Sequence, residues 1–192
     1  MKTSIIPARP EDAPLIARAI LMAIGDELTL HLAGPEHTPL DVQRLFESLA
    51  RRTDSQYSYL NTLAALTETG EVAGLLICYD GADLHRLRIP FFAEAEGAIG
   101  LKINGDPDDE TGPEEIYLDT LAVFPPHRGK GIGRRLIAAA AERAHALGRP
   151  LGLLVSKHNP EARRLYDSIG FREAGERPFA GEMMTHLQLP PR

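Results

Sequence analysis

The chain has 192 residues, 43% of them hydrophobic, enough to bury a full-sized core in a single domain spanning 1–192 without help from a metal or a disulfide. Its 27 acidic and 21 basic residues leave a formal charge of -6, which argues against nucleic acid as a tight partner. The single cysteine, Cys78 in an apolar run, rules out a disulfide framework within one chain and any cysteine-rich zinc site, and no stretch reads as a secretion signal or a membrane span, so a cytoplasmic protein with no membrane partner is expected.

In chain order, Ile5 to Arg9 reads as a short strand, followed by a helix over roughly Asp12 to Leu30, with Asp12 as its cap and Pro14 in its opening turn. The segment Gly34 to Pro39 breaks that pattern before Val42, Leu45, Phe46 and Leu49 recur at helical spacing. Residues 26–50 therefore read as a flap beside a bound substrate. Tyr57 to Thr67 and Glu71 to Tyr79, joined by Glu68-Thr69-Gly70, predict an antiparallel hairpin whose second strand is central. From Asp83 to Leu101, Pro90 excludes one simple continuous helix. Residues 102–115 hold Asp106, Asp108, Asp109, Glu110, Glu114 and Glu115 among Pro107, Gly112 and Pro113, and read as a solvated acidic loop that would favour a cationic amine.

Ile116 to Val123 is the next predicted strand, and a helix follows from Ile132 to Leu147 with an apolar stripe of Leu136, Ile137, Ala140, Ala144 and Leu147. Leu151 to Val155 is another strand, Pro160 to Ile169 another helix capped by Asn159, and Glu182 to Leu189 a last strand. The whole is an α/β (α+β) pattern built around a mixed sheet.

Between strand and helix lies Arg128-Gly129-Lys130-Gly131-Ile132-Gly133-Arg134. The glycines permit a tight turn, the helix start supplies free amides, and the flanking Arg128, Lys130, Arg134 and Arg135 add positive charge, a combination suited to a pyrophosphate. A nucleotide-hydrolysing loop would need Ser or Thr after its lysine, where this chain has Gly131, and a dinucleotide site would need another glycine spacing.

Two segments resemble the Gcn5-related N-acetyltransferase (GNAT) superfamily. Arg128, Gly131 and Gly133 fill its Arg/Gln-x-x-Gly-x-Gly/Ala motif, and Asn159-Pro-Glu-Ala-Arg-Arg-Leu-Tyr-Asp-Ser-Ile-Gly-Phe171 is similar to its Asn-x-x-Ala-x-x-Leu-Tyr-x-x-x-Gly-Phe segment. The resemblance implies a GNAT-like mixed central sheet flanked by helices, with acetyl-CoA held where two parallel strands, Ile116 to Val123 and Leu151 to Val155, splay apart. It assigns the pyrophosphate to the main chain of Arg128, Gly129, Lys130, Gly131, Ile132, Gly133 and Arg134. The Leu121 amide would hold the thioester carbonyl, that of Val123 the pantetheine arm, and the Asn159 side chain would orient that arm. Tyr166 would be the general acid.

The base is read from the strand: Tyr117 and Asp119 share a face by alternation, with Leu121 and Val123 further along it. Asp119 would attract the amine and relay its proton, Tyr117 would orient the substrate, and Glu115 would join a water chain. Alternatively, Asp119 only satisfies neighbouring amides. No metal-ligand spacing occurs, so no metal is expected. The function implied is acetyl-CoA-dependent transfer to a primary amine, a small cationic molecule or a peptide N-terminus; the alternative is a catalytically inactive acyl-CoA-binding regulatory or interaction module. Exposed apolar parts of the sheet or early helices would suit homodimerisation.

Overall fold

The computed structural model describes residues 3–102 and 107–191. Asp106 and part of the expected acidic loop thus lie outside the described residues. Seven strands form one mixed sheet in the order β1-β2-β3-β4-β5-β7-β6: β1 Thr3–Pro7, β2 Thr62–Thr67, β3 Val72–Asp80, β4 Ile116–Val123, β5 Leu151–Val155, β6 Arg172–Phe179 and β7 Glu182–Leu189. All neighbours are antiparallel except β4 and β5. The central strands are apolar on both sides because helices cover both faces.

One face packs on α1 (Ala13–Ala33), α2 (Pro39–Arg51) and α4 (Ile89–Ile99), where Ile16, Ile20, Leu49, Leu75 and Ile77 are fully buried. A single turn, α3 (Leu84–Leu87), precedes α4. Pro90 stands in the first turn of α4, where the missing donor costs little, so the proline that breaks the helical pattern of 83–101 also starts the helix after the break. The other face packs on α5 (Ile132–Ala146) and α6 (Pro160–Ile169) through Leu136, Ile137, Ala140, Leu153 and Phe171.

Two local expectations are corrected. Asp12 stands at the N-cap of α1, but its side chain does not bond the helix; its Oδ2 instead accepts from the Arg9 amide at 2.8 Å, closing a short 3-10 turn ahead of the helix. Nor is α1 one straight helix, since Gly25 has φ 79° and ψ 172° and breaks it in two. A left-handed φ costs glycine little, so Gly25 is what allows the second half of α1 to turn off-axis. The α2 start is secured by Thr38, whose backbone amide and Oγ1 both donate to the Asp41 carboxylate at 2.9 and 2.6 Å.

No helix among the described residues is long and apolar enough to cross a membrane.

Candidate active site

Strands β4 and β5 pair only at Ile116 with Leu151 and Tyr117 with Gly152. Beyond those two pairs they diverge, and a cleft of about 760 Å³ opens between their ends. Its walls come from the kinked part of α1 (Ile24, Glu27, His31), from β4 (Tyr117, Asp119, Thr120), from the segment after β5 (Ser156, His158, Asn159) and from the β6–β7 turn (Phe179 to Glu182).

Alternation along β4 is interrupted at Asp119. Ile77 pairs with Thr120 and Cys78 with Leu118, so Asp119 is an extra residue with no partner on β3, a β-bulge. Tyr117 packs on the α1 side, whereas Leu121 and Val123 pack on the α5 side. This corrects the expectation that Tyr117, Asp119, Leu121 and Val123 share one face: the inserted residue shifts the side-chain phase by one. Asp119 and Tyr117 open to the cleft, and Leu121 and Val123 lie beside the glycine turn, with Leu121 Cδ2 and Val123 Cγ2 near the position of a Gly133 Cβ.

After β4 the chain makes a 3-10 turn at Pro125–His127, then Gly129 and Gly131 adopt φ 72° and 74°, and α5 begins at Ile132. Backbone amides of Gly129, Lys130, Gly131, Ile132, Gly133 and Arg134 have no acceptor among the described residues. Nothing lies within 4 Å of a Cβ built on Gly129 or Gly131, so the turn is open rather than sealed by side chains. An open ring of unpaired amides at a helix N-terminus fits a diphosphate. The cations are arranged differently from the expectation. Arg128 Nε donates to the Val123 carbonyl at 3.1 Å and Lys130 Nζ to that of Pro126 at 2.8 Å, bracing the turn, while Arg134 reaches Ser168 on α6 and Arg135 reaches Thr3 on β1. The main chain, not a ring of side chains, is what the turn presents.

Asn159 borders the cleft and caps α6, its Oδ1 accepting from the Ala162 amide at 3.0 Å. Tyr166 lies one helical stretch further, buried on the α5 side with its ring edge-on to Phe171 at 5.5 Å. Burial pushes its phenol up to about 12, so it stays protonated at neutral pH. Its hydroxyl has no hydrogen-bond partner among the described residues.

The floor of the cleft holds what sequence reasoning missed. Glu110, expected in a solvated loop, is buried and faces Asp119. Gln56 Nε2 donates to Asp119 Oδ2 at 3.3 Å and to Glu110 Oε1 at 3.4 Å, and the Tyr79 hydroxyl lies 3.4 and 3.2 Å from the same two oxygens. Thr120 Oγ1 adds a donor to Asp119 at 2.8 Å. Burial raises both carboxyls; Glu110, which also feels the Asp119 charge, is pushed up to about 7. The loop is pinned in place by the buried Arg88, whose guanidinium lies 2.9 Å from Asp109 Oδ1 and 3.3 Å from the Asp108 carbonyl.

Glu115 is a second departure. It does not reach the cleft but is fully buried, bonded by His186 Nε2 at 2.9 Å, Gln188 Nε2 at 2.7 Å and Thr111 Oγ1 at 2.7 Å. Burial pushes its carboxyl up, and these donors more than offset that, leaving it below the usual range. His127 is also inside: its Nε2 is 3.2 Å from Glu71 Oε1, but neither ring nitrogen makes an aligned hydrogen bond. No cluster of three or more metal-ligating side chains occurs among the described residues.

Residues 27–171 match the model of the acetyltransferase (GNAT) family. The chain belongs to the GNAT acetyltransferase family. Members of this family generally use acetyl-CoA as co-substrate. A solved structure described as an acetyltransferase is 32% identical and superposes with a TM-score of 0.79, over 98% of this chain and 100% of that one. The uncharacterized N-acetyltransferase YycN of Bacillus subtilis is 36% identical over 74 residues, 38% of this chain and 46% of its own. Spermine/spermidine N(1)-acetyltransferase of the same organism is 24% identical over 71% of this chain and 93% of its own. The chain spans only 40% to 46% of the length of several curated relatives.

Proposed function

We propose that this protein is an acetyl-CoA-dependent N-acetyltransferase whose acceptor is a cationic primary amine, a small molecule or a peptide N-terminus. The observation that carries the reading is the pairing, across the splay of β4 and β5, of an open amide turn with an acidic cleft. Glu27, Glu110, Asp119 and Glu182 line that cleft, and among the described residues no lysine or arginine does. Such a lining concentrates cations and repels anionic acceptors. The GNAT relative that acts on spermine and spermidine is in keeping with a cationic acceptor.

The amides of 129–134 would hold the diphosphate of acetyl-CoA, and Asn159 and the main chain at Val123 its pantetheine arm. When bound, that molecule supplies an activated thioester. The Leu121 amide would polarise the thioester carbonyl, a fixed donor that needs no reorganisation. Asp119 attracts the ammonium, holds it against the carbonyl with Tyr117 alongside, and draws its proton toward the acidic floor. Tyr166, kept protonated by its apolar surroundings, donates to the sulfur. The bulge at Asp119 sets this division of labour: acceptor-side groups face α1 and thioester-side groups face α5.

The test is consumption of acetyl-CoA by the purified chain against a panel of primary amines, diamines and peptides, with mass analysis of the products. Acetylation of cationic amines in preference to anionic ones is expected. Tight binding of acetyl-CoA with no product from any amine would leave the chain a cofactor-binding module instead.

A further inference from the structure

We infer that Glu110 is a catalytic residue of this protein: paired with Asp119 through the shared donors Gln56 and Tyr79, it takes the proton from the acceptor nitrogen, while Asp119 remains the anion that holds the ammonium. The inference rests on the acetyl-transfer reading and adds a residue that lies outside both sequence motifs.

A purely architectural account of the pair is poor. A buried carboxyl beside a half-buried one costs stability unless cations neutralise them, yet the groups bonded to both are a neutral amide and a phenol. Arg88, whose charge reaches Glu110, makes its bonds to Asp109 and His85 instead. Both carboxyls also line the cleft, so the pair faces the space an amine would enter. The two environments differ in a way that separates their roles. Asp119 accepts from Thr120, Gln56 and Tyr79, donors that favour its anion; Glu110 accepts from Gln56 and Tyr79 and is helped by its own backbone amide and the Arg88 charge, but burial and the field of Asp119 outweigh these. Neighbouring carboxyls pushed apart in proton affinity divide into a proton carrier and a permanent anion. Glu110, at about 7, is matched to accepting a proton near neutrality.

The steps balance. The acceptor ammonium passes one proton to Glu110 and becomes the nucleophile. The N–C bond forms and the C–S bond breaks with its electron pair going to sulfur, which receives the Tyr166 phenol proton. The second nitrogen proton returns through solvent to the tyrosinate, and Glu110 releases its proton to solvent. Titratable and charged groups facing Glu110 are Asp119, Tyr79, Tyr57, Tyr117 and Arg88, with Glu27, His31, His158 and Glu182 across the cleft.

The experiment compares wild type, Glu110→Gln and Glu110→Asp, using the best amine of the panel, for kcat, both KM values and the pH dependence of kcat/KM. Glu110→Gln is expected to lower kcat/KM for the amine by roughly 100-fold, within the range for losing a general base. Its KM for acetyl-CoA should be unchanged and the acidic limb near pH 7 lost. Glu110→Asp should restore part of the rate and keep a displaced acidic limb. If Glu110→Gln does not fold, the displaced limb of Glu110→Asp decides. An acidic limb and kcat that survive Glu110→Gln, whether or not the amine KM rises, would overturn the assignment. A wild type inactive on every amine defeats the functional reading itself; an active wild type with an indifferent Glu110→Gln defeats this inference alone.

Discussion

Glu115 lies so close over the backbone of Gly152 that a Cβ there would stand 1.9 Å from the Glu115 Oε2. Gly152 is also half of the last pair that β4 and β5 make before they part. The carboxylate thus crosses β5, through the gap a missing side chain leaves, to reach His186 and Gln188 on β7. Three strands are tied together where the splay begins.

Gly152→Ala is therefore expected to displace Glu115 from its donors. Overpacking costs about 1–3 kcal/mol, and a buried carboxylate losing its partners adds to that. Urea denaturation at pH 7 should show a midpoint well below wild type, and Glu115→Gln, which fits the same space, should lose less.

Tyr166→Phe keeps the ring against Phe171 and removes only the hydroxyl. Turnover should fall by about 10–100-fold, at the low end of general-acid effects because a thiolate leaves readily. Affinity for acetyl-CoA, measured by calorimetry, should not change. Undiminished single-turnover rates would take Tyr166 out of the reaction.

At Gly131 the space around a Cβ is empty, but φ is 74°, which a β-branched residue adopts only with strain. Gly131→Val should re-aim the amides of 129–134 and weaken acetyl-CoA binding by about tenfold or more, as loss of 1.4 kcal/mol or more requires. The amine KM should be unaffected, and calorimetry of the binary complex would separate the two.

Glu110 also marks pH-dependent stability. Its folded carboxyl is raised to about 7 from an ordinary 4.5, so between those pH values the folded chain holds a proton that the unfolded chain has lost. Stability from this group is present below pH 4.5, falls as pH rises toward 7 and stays low above it. Glu110→Gln removes that loss. The variant should match wild type near pH 4 and exceed it at pH 8 by on the order of 3 kcal/mol, read from urea midpoints across the range.

Much of the frame was legible from local signals. Ile116 to Val123, Leu151 to Val155 and Pro160 to Ile169 fall where apolar runs, a capping asparagine and a closing glycine place them. The amide turn was legible too, because glycine spacing between strand and helix has few physical meanings. The floor of the cleft was not. Glu110 sits in a stretch whose composition signals solvent, and groups distant in sequence draw it inside: Arg88 and His85 grip Asp109, and Gln56 and Tyr79 bond Glu110 itself. The Asp119 bulge was hidden for a related reason: alternation assumes two strands in step, and the missing β3 partner is a property of pairing rather than of either sequence. The kink at Gly25 was available in principle, since an isolated glycine inside a helical pattern is a recognised warning.

Asp119 makes β4 one residue longer than the stretch of β3 it lies against. Excising that single residue would do more than delete a carboxylate. With it gone, Leu118 and Thr120 would follow one another opposite Cys78 and Ile77, every other pair would stay in place with Tyr117 on the α1 face and Leu121 on the α5 face, and the local bend that the bulge gives β4 would be lost. Asp119→Ala would keep the extra residue and its bend, so only a deletion scan of β4 separates the carboxylate from the backbone that presents it.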